Sequence, residues 1–124
     1  MEIEIDINDP IPVYEQIVFQ IQKAIIEKRL LIKSPLPSIR QLAEELGINP
    51  GTVAKAYQIL ESNSVIITAG RKGTFVKESA VEMIQKYKAQ VRVRKIKELI
   101  FFLKKDGINN QEIKTLFIRE LRND

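Results

Sequence analysis

The 124-residue sequence contains no cysteine and no histidine. Without cysteine there is no disulfide frame and no thiolate metal site. Without histidine the commonest metal ligand and the commonest general base are both missing. No apolar run reaches the roughly 18 residues that a membrane-spanning helix requires. The amino terminus is acidic and carries no signal-peptide pattern. These absences point to a cytoplasmic chain with no membrane partner. No Walker-type glycine loop, nucleophile elbow or recognisable carboxylate pair occurs either, so an enzymatic reading finds no residues to rest on. No cofactor is expected. A metal would have to be held by carboxylates and carbonyls alone, and no such cluster stands out.

What is present is a chain that is 44% hydrophobic, ample for a core. Its length suits one compact domain, or a small domain with an appendage. The most informative stretch is residues 36 to 76. Leu36-Pro37-Ser38-Ile39-Arg40-Gln41 announces a helix, with Ser38 at the cap and Gln41 three residues on, the spacing of a capping box. Ile39, Leu42, Ala43 and Leu46 repeat at i, i+3, i+4, i+7 and predict one apolar face. Gly47 ends that helix. Asn49 caps the next and Pro50 takes its first turn. Ile48 and Val53 are spaced for a hydrophobic staple. A link of only Gly47, Ile48 and Asn49 forces a sharp crossing, as in a DNA-binding helix-turn-helix.

The second helix, expected from Pro50 to about Ser62, has two unlike faces. Val53, Ala56, Tyr57 and Leu60 form a buried stripe. Gly51, Thr52, Ala54, Lys55, Gln58 and Glu61 are left outward, and near the start they are small or hydrogen-bonding with one cation. Such a surface suits a helix that brings its first turns to base edges and phosphates in a major groove. Val65-Ile66-Ile67-Thr68 favours a strand. Ala69-Gly70-Arg71-Lys72-Gly73 is a turn, and Thr74-Phe75-Val76-Lys77 the return strand. A hairpin with Arg71 and Lys72 at its tip suits a wing lying on a phosphate backbone or entering a minor groove.

Around this motif, Ile3-Glu4-Ile5-Asp6-Ile7 alternates apolar and acidic residues, as either a short edge strand or an arm packed by its isoleucines. A helix is expected from Pro12 or Val13 to about Lys28, with Tyr14, Ile17, Val18, Ile21, Ala24 and Ile25 on its apolar stripe. Tyr14 and Tyr57 read as core or cleft fillers. The core of this head is expected to include Ile17, Ile21, Ile25, Ile39, Leu42, Leu46, Val53 and Leu60. A long helix from near Ser79 to about Lys105, a stop at Asp106-Gly107 and a last helix capped by Asn109 complete a helical hairpin. The reading is therefore mainly α with a small β-hairpin. Residues 1–78 form a winged helix-turn-helix head and residues 79–124 a helical dimerisation region.

The apolar content of that hairpin exceeds what two helices can hide from each other. Ile96, Leu99, Ile100, Phe102 and Leu103 on the first helix, and Ile113, Leu116 and Phe117 on the second, are the expected dimer interface. A second copy of the same hairpin is the economical cover, the alternative being that the hairpin folds back onto its own head. Charge is also divided. Residues 1–78 carry 9 Lys+Arg against 10 Asp+Glu, a balance of −1, and residues 79–124 carry 11 against 6, or +5. Either the local cations Arg40, Lys55, Arg71 and Lys72 suffice for DNA while acids sit on the far side, or the tail adds phosphate contacts of its own. The first is favoured, because a charged helix face is usually only solvated.

Pro12-Val13-Tyr14-Glu15-Gln16-Ile17, Leu36 to Ala43, Leu46 to Tyr57 and Gly73-Thr74-Phe75-Val76 together resemble the GntR family of bacterial transcription regulators. The Asn49-Pro50-Gly51-Thr52-Val53-Ala54-Lys55-Ala56-Tyr57 run and the short C-terminal region are similar to its small YtrA-like branch. The resemblance implies a homodimeric repressor on a two-fold symmetric operator in double-stranded DNA. By matching position it implies DNA contacts from Arg40, Thr52, Lys55 and the wing from Gly70 to Gly73; Gly51 and Gln58 join them from the outward face. It departs from the family where Leu31-Ile32-Lys33-Ser34-Pro35 replaces a Pro-Gly-Asp-like turn. It departs again where Ser64 replaces a glycine, with Asn63 placed to take the left-handed conformation. The competing reading is a winged-helix module that binds protein or RNA and recruits a partner through its C-terminal helices. About 46 residues follow the wing, too few for a separate deep pocket, so an unknown small-molecule effector would have to bind between head and hairpins or in a dimer cleft.

Overall fold

A computed structural model of the chain describes residues 1–123. The helices are α1 (Val13–Ile26), α2 (Ile39–Leu46), α3 (Pro50–Ser62), α4 (Ala80–Lys105) and α5 (Asn110–Arg122). The strands are β1 (Pro35–Leu36), β2 (Ile66–Thr68) and β3 (Thr74–Val76). The chain forms two compact units, Met1–Tyr87 and a second beginning at Lys88.

The first unit is built on α1. Ile17, Ile21 and Ile25 recur on one face and are fully or almost fully buried, together with Val53, Ala56 and Leu60 of α3 and Leu42 and Ala43 of α2. Val65, Ile66 and Val76 of the wing, and Ala80 and Ile84 from the start of α4, close the same core. Ile39 does not join it. At the first position of α2 its side chain is 37% exposed, because the first turn of so short a helix projects past the core that Leu42 and Ala43 fill.

The sheet has three strands where the sequence showed a two-stranded hairpin. The order is β1-β3-β2, all antiparallel, with Pro35 opposite Phe75 and Ile67 opposite Phe75 on its other side. Two residues of β1 carry no periodicity of their own, so only tertiary pairing reveals them. The turn leading into it, which lacks the family's glycine, still uses a left-handed residue: Lys33 has φ 66°. Its N–H donates to the Val76 carbonyl at 2.7 Å, so a sheet hydrogen bond holds the conformation in place of a glycine. Before the wing the left-handed residue is Ser64 at φ 60°, not Asn63, which stays at φ −91° and caps α3. The Asn63 side chain instead donates to the Ile59 carbonyl at 2.9 Å.

Residues 1–11 form an arm and not a strand. Gln16 and Gln20, one helical turn apart, take the place of a neighbouring strand. Asp6 N–H donates to Gln16 Oε1 at 2.9 Å, and Gln16 Nε2 donates to the carbonyls of Asp6 and Ile11 at 2.9 and 2.8 Å. Gln20 makes the same reciprocal pair with Glu4 at 2.9 and 2.6 Å. Ile3 and Ile5 pack against the core, whereas Ile7 is exposed.

In the second unit Ile113 is buried, so it is taken up inside its own hairpin and not left for a partner. Ile100, Leu103, Leu116 and Phe117 are half-buried, and Ile96, Leu99 and Phe102 are exposed. The hairpin turn closes through Gly107 at φ 85° and an Ile108 N–H to Leu103 carbonyl bond of 3.2 Å. Asn109 caps α5 by accepting from Glu112 N–H at 2.9 Å.

One core position breaks the apolar pattern. Gln22 of α1 is fully buried, and neither end of its amide has a hydrogen-bond partner among the described residues. An unpartnered buried amide costs about 1–3 kcal/mol. Gln22→Met, of similar shape and without the amide, is expected to raise the unfolding free energy by about that amount in urea denaturation. A destabilised variant would show that the amide is satisfied in solution.

Candidate nucleic-acid interface

The helix-turn-helix is fixed by short-range chemistry at each joint. Ser38 Oγ accepts from Gln41 N–H at 3.1 Å while Gln41 Oε1 accepts from Ser38 N–H at 2.9 Å, the complete capping box. Gly47 ends α2 at φ 65°, a conformation a side chain disfavours, and Ile48 N–H returns to the Ala43 carbonyl at 3.1 Å. Asn49 Oδ1 then caps α3 by accepting from Gly51 N–H at 2.7 Å. A Cβ on residue 51 would stand 3.1 Å from that same oxygen, so Gly51 lets the cap approach closely.

Tyr57 locks the two helices together. Its hydroxyl donates to the Pro37 carbonyl at 2.7 Å, tying the middle of α3 to the approach of α2. Burial, and then the nearby Glu45 carboxylate, push this hydroxyl well above the ordinary tyrosine range.

With the inner face of α3 occupied by Val53, Ala56, Tyr57 and Leu60, the outer face carries the expected residues. Gly51, Lys55 and Gln58 are exposed and Thr52 is half-buried beside them. Arg40 is exposed at the second residue of α2. The wing tip, Gly70 to Gly73, is exposed throughout. It is a 3₁₀ turn over Gly70–Lys72, closed by Ala69 N–H to the Gly73 carbonyl at 2.8 Å. Gly73 at φ 102° and ψ −163° adopts a geometry reserved for glycine. Among the described residues none of Arg40, Lys55, Arg71 or Lys72 is in an ion pair.

One neighbour was not legible as part of this surface. Tyr14, expected as a filler, is half-buried at the start of α1, and the Lys55 ammonium lies 4.0 Å from the centre of its ring. Periodicity within one helix carries no signal for a contact between two helices distant in sequence.

A capped helix-turn-helix, a glycine-flanked wing with two cations at its tip and an appended helical hairpin define a winged helix-turn-helix transcription regulator. Residues 13–76 match the model of bacterial regulatory proteins of the gntR family, and the chain belongs to that family as a DNA-binding transcriptional regulator. It is 31% identical over 122 residues to the HTH-type transcriptional repressor YtrA of Bacillus subtilis, covering 98% of this chain and 93% of that protein. Among solved structures it is similar to a transcriptional antiterminator from Listeria monocytogenes EGD-e, at 36% identity and a TM-score of 0.69, covering 97% of this chain and 90% of that one. It is also similar to YtrA from Sulfolobus acidocaldarius, described as a GntR-family transcription factor, at 34% identity and a TM-score of 0.63, covering 79% and 97%.

The Tyr57 lock has a testable sign. Tyr57→Phe is expected to lower the unfolding free energy by about 0.5–1.5 kcal/mol near neutral pH. Because the folded state holds the phenolic proton more tightly than the unfolded one, the stability contributed by Tyr57 is complete below about pH 10 and is lost as pH rises beyond it. Denaturant unfolding of both proteins from pH 8 upward should therefore show wild type losing more stability than Tyr57→Phe. A constant difference across that range would contradict the assigned environment.

Proposed function

We propose that the protein is a homodimeric repressor that binds a two-fold symmetric operator, with one head on each half-site. The observation that carries the reading is the surface formed by the start of α2, the outer face of α3 and the wing tip, where among the described residues Arg40, Lys55, Arg71 and Lys72 have no ion-pair partner. In this reading Arg40, Gly51, Thr52, Lys55 and Gln58 enter or border a major groove. Gly70, Arg71, Lys72 and Gly73 follow the adjacent backbone. Thr52 and Gln58 are the base-reading candidates, and the cations hold phosphates. Such a regulator works where the chromosome is, in the cytoplasm. Repression requires only operator occupancy, so a small-molecule effector enters as a modulator of affinity and not as a component of the complex.

The second unit supplies the proposed link between heads. Ala89, Val93, Ile96, Ile100 and Leu103 fall at alternating spacings of four and three along α4, the pattern of a helix–helix seam. Val93 and Ile96 on that seam are 51% and 53% exposed, and Phe102 beside it is 66% exposed. Leu99, Phe101, Ile118 and Leu121 enlarge the uncovered apolar surface. A second hairpin of the same chain would cover it, and two linked heads gain avidity from an intramolecular second contact.

Two experiments test this. Lys55→Ala and Arg71→Ala are expected to weaken binding to a duplex selected from a randomised pool, each lowering the salt slope by about one, with thermal unfolding unchanged. Thr52→Ala should instead alter the ranking of operator variants. Unchanged affinity and slope in both cation variants would remove the reading face. Separately, sedimentation without DNA at micromolar concentration should give a dimer, and Phe102→Glu should shift it to monomer. A monomeric wild type would remove the dimer.

A further inference from the structure

We infer that Tyr14 is a positioning residue for DNA binding: its ring is a shelf that holds the Lys55 ammonium ready on the outer face of α3. This rests on the proposed reading that Lys55 meets a phosphate, and adds α1 to the α2, α3 and wing residues of the recognition surface.

The geometry supplies each part. The Lys55 nitrogen lies 4.0 Å from the Tyr14 ring centre, well inside the range of a cation–π contact. Tyr14 is itself anchored. It is the second residue of α1, whose first turn is closed by the Glu15 and Gln16 N–H groups donating to the Pro12 carbonyl at 3.0 and 3.1 Å. Gln16 in turn grips the amino-terminal arm at Asp6 and Ile11, so the start of the helix is tied down on both sides. The Tyr14 hydroxyl donates to Glu15 Oε1 at 3.4 Å, at the edge of the ring and away from the face that Lys55 uses.

A ring does for this lysine what a carboxylate cannot. A four-carbon stem has large rotamer freedom, which is lost when the ammonium meets a phosphate. An acidic partner would order the stem but neutralise the charge and compete with the phosphate. The aromatic face orders it while the charge persists and the remaining N–H donors stay open. Part of the ordering cost is then met before DNA arrives.

The test uses the full chain and a duplex selected from a randomised pool by the unaltered protein. Tyr14→Leu is expected to weaken binding about two- to fivefold, the usual size of an exposed cation–π contact. The salt slope should not change, because no cation is lost. Tyr14→Phe keeps the ring and should bind like wild type. In a Lys55→Ala background, Tyr14→Leu should cost nothing further. A full loss in that background would overturn the proposal, since Tyr14 would then act on its own. Wild-type affinity for Tyr14→Leu beside a weakened Lys55→Ala would overturn the shelf and leave the reading face standing. An unaffected Lys55→Ala would remove Lys55 from the reading face and the shelf with it, and an unaffected Arg71→Ala beside it would remove the reading face as well. Should Tyr14→Leu not fold, the Lys55 ε-methylene proton shifts of wild type and Tyr14→Phe decide. Upfield displacement by the ring current is expected in both, and ordinary lysine shifts would overturn the contact.

Discussion

The structure depends on one constraint: α3 must bury half of its surface so completely that the other half is held rigid and bare. Val53, Ala56 and Leu60 have no exposure at all, and they meet the isoleucine stripe of α1 and the short apolar face of α2. Every other device in the head serves that packing. The Ser38–Gln41 box and Gly47 set where α2 begins and ends, and Asn49 and Pro50 set where α3 begins. Tyr57 then ties the result to the Pro37 carbonyl. Because the inner face is fixed, Gly51, Thr52, Lys55 and Gln58 have no freedom to turn inward.

The wing and the start of α4 complete the same core from the other side. Val65, Ile66 and Val76 bring the glycine-flanked tip outward, and Ala80 and Ile84 anchor the first turns of α4. A head fragment that stopped after the wing would lose those two side chains, which belong to the compact unit Met1–Tyr87. A core of this size leaves modest stability, which gives the unpartnered Gln22 weight out of proportion to one residue.

Much of this was legible in the sequence because it is local. Capping residues, terminating glycines and helical spacing act within a few positions, and α1, α2, α3 and the two wing strands followed from them. So did the outward placement of Arg40, Lys55, Arg71 and Lys72. What was hidden depends on partners distant in the chain. The strand at Pro35–Leu36 exists only through β3. Lys33 and Ser64 take left-handed backbone without a glycine because neighbouring hydrogen bonds hold them there. The arm is captured by glutamine side chains, which no alternation of apolar and acidic residues announces. The exposed Ile39, the internal Ile113 and the Tyr14–Lys55 contact were settled by packing alone.

In the proposed complex two identical heads read one duplex, each with α3 in a major groove. Hydroxyl-radical footprinting on a selected operator tests it most directly. Two protected segments are expected on one face of the duplex, related by two-fold symmetry and one helical turn apart, roughly 34–36 Å between centres. A single protected segment, or protection spread evenly around the duplex, would contradict it.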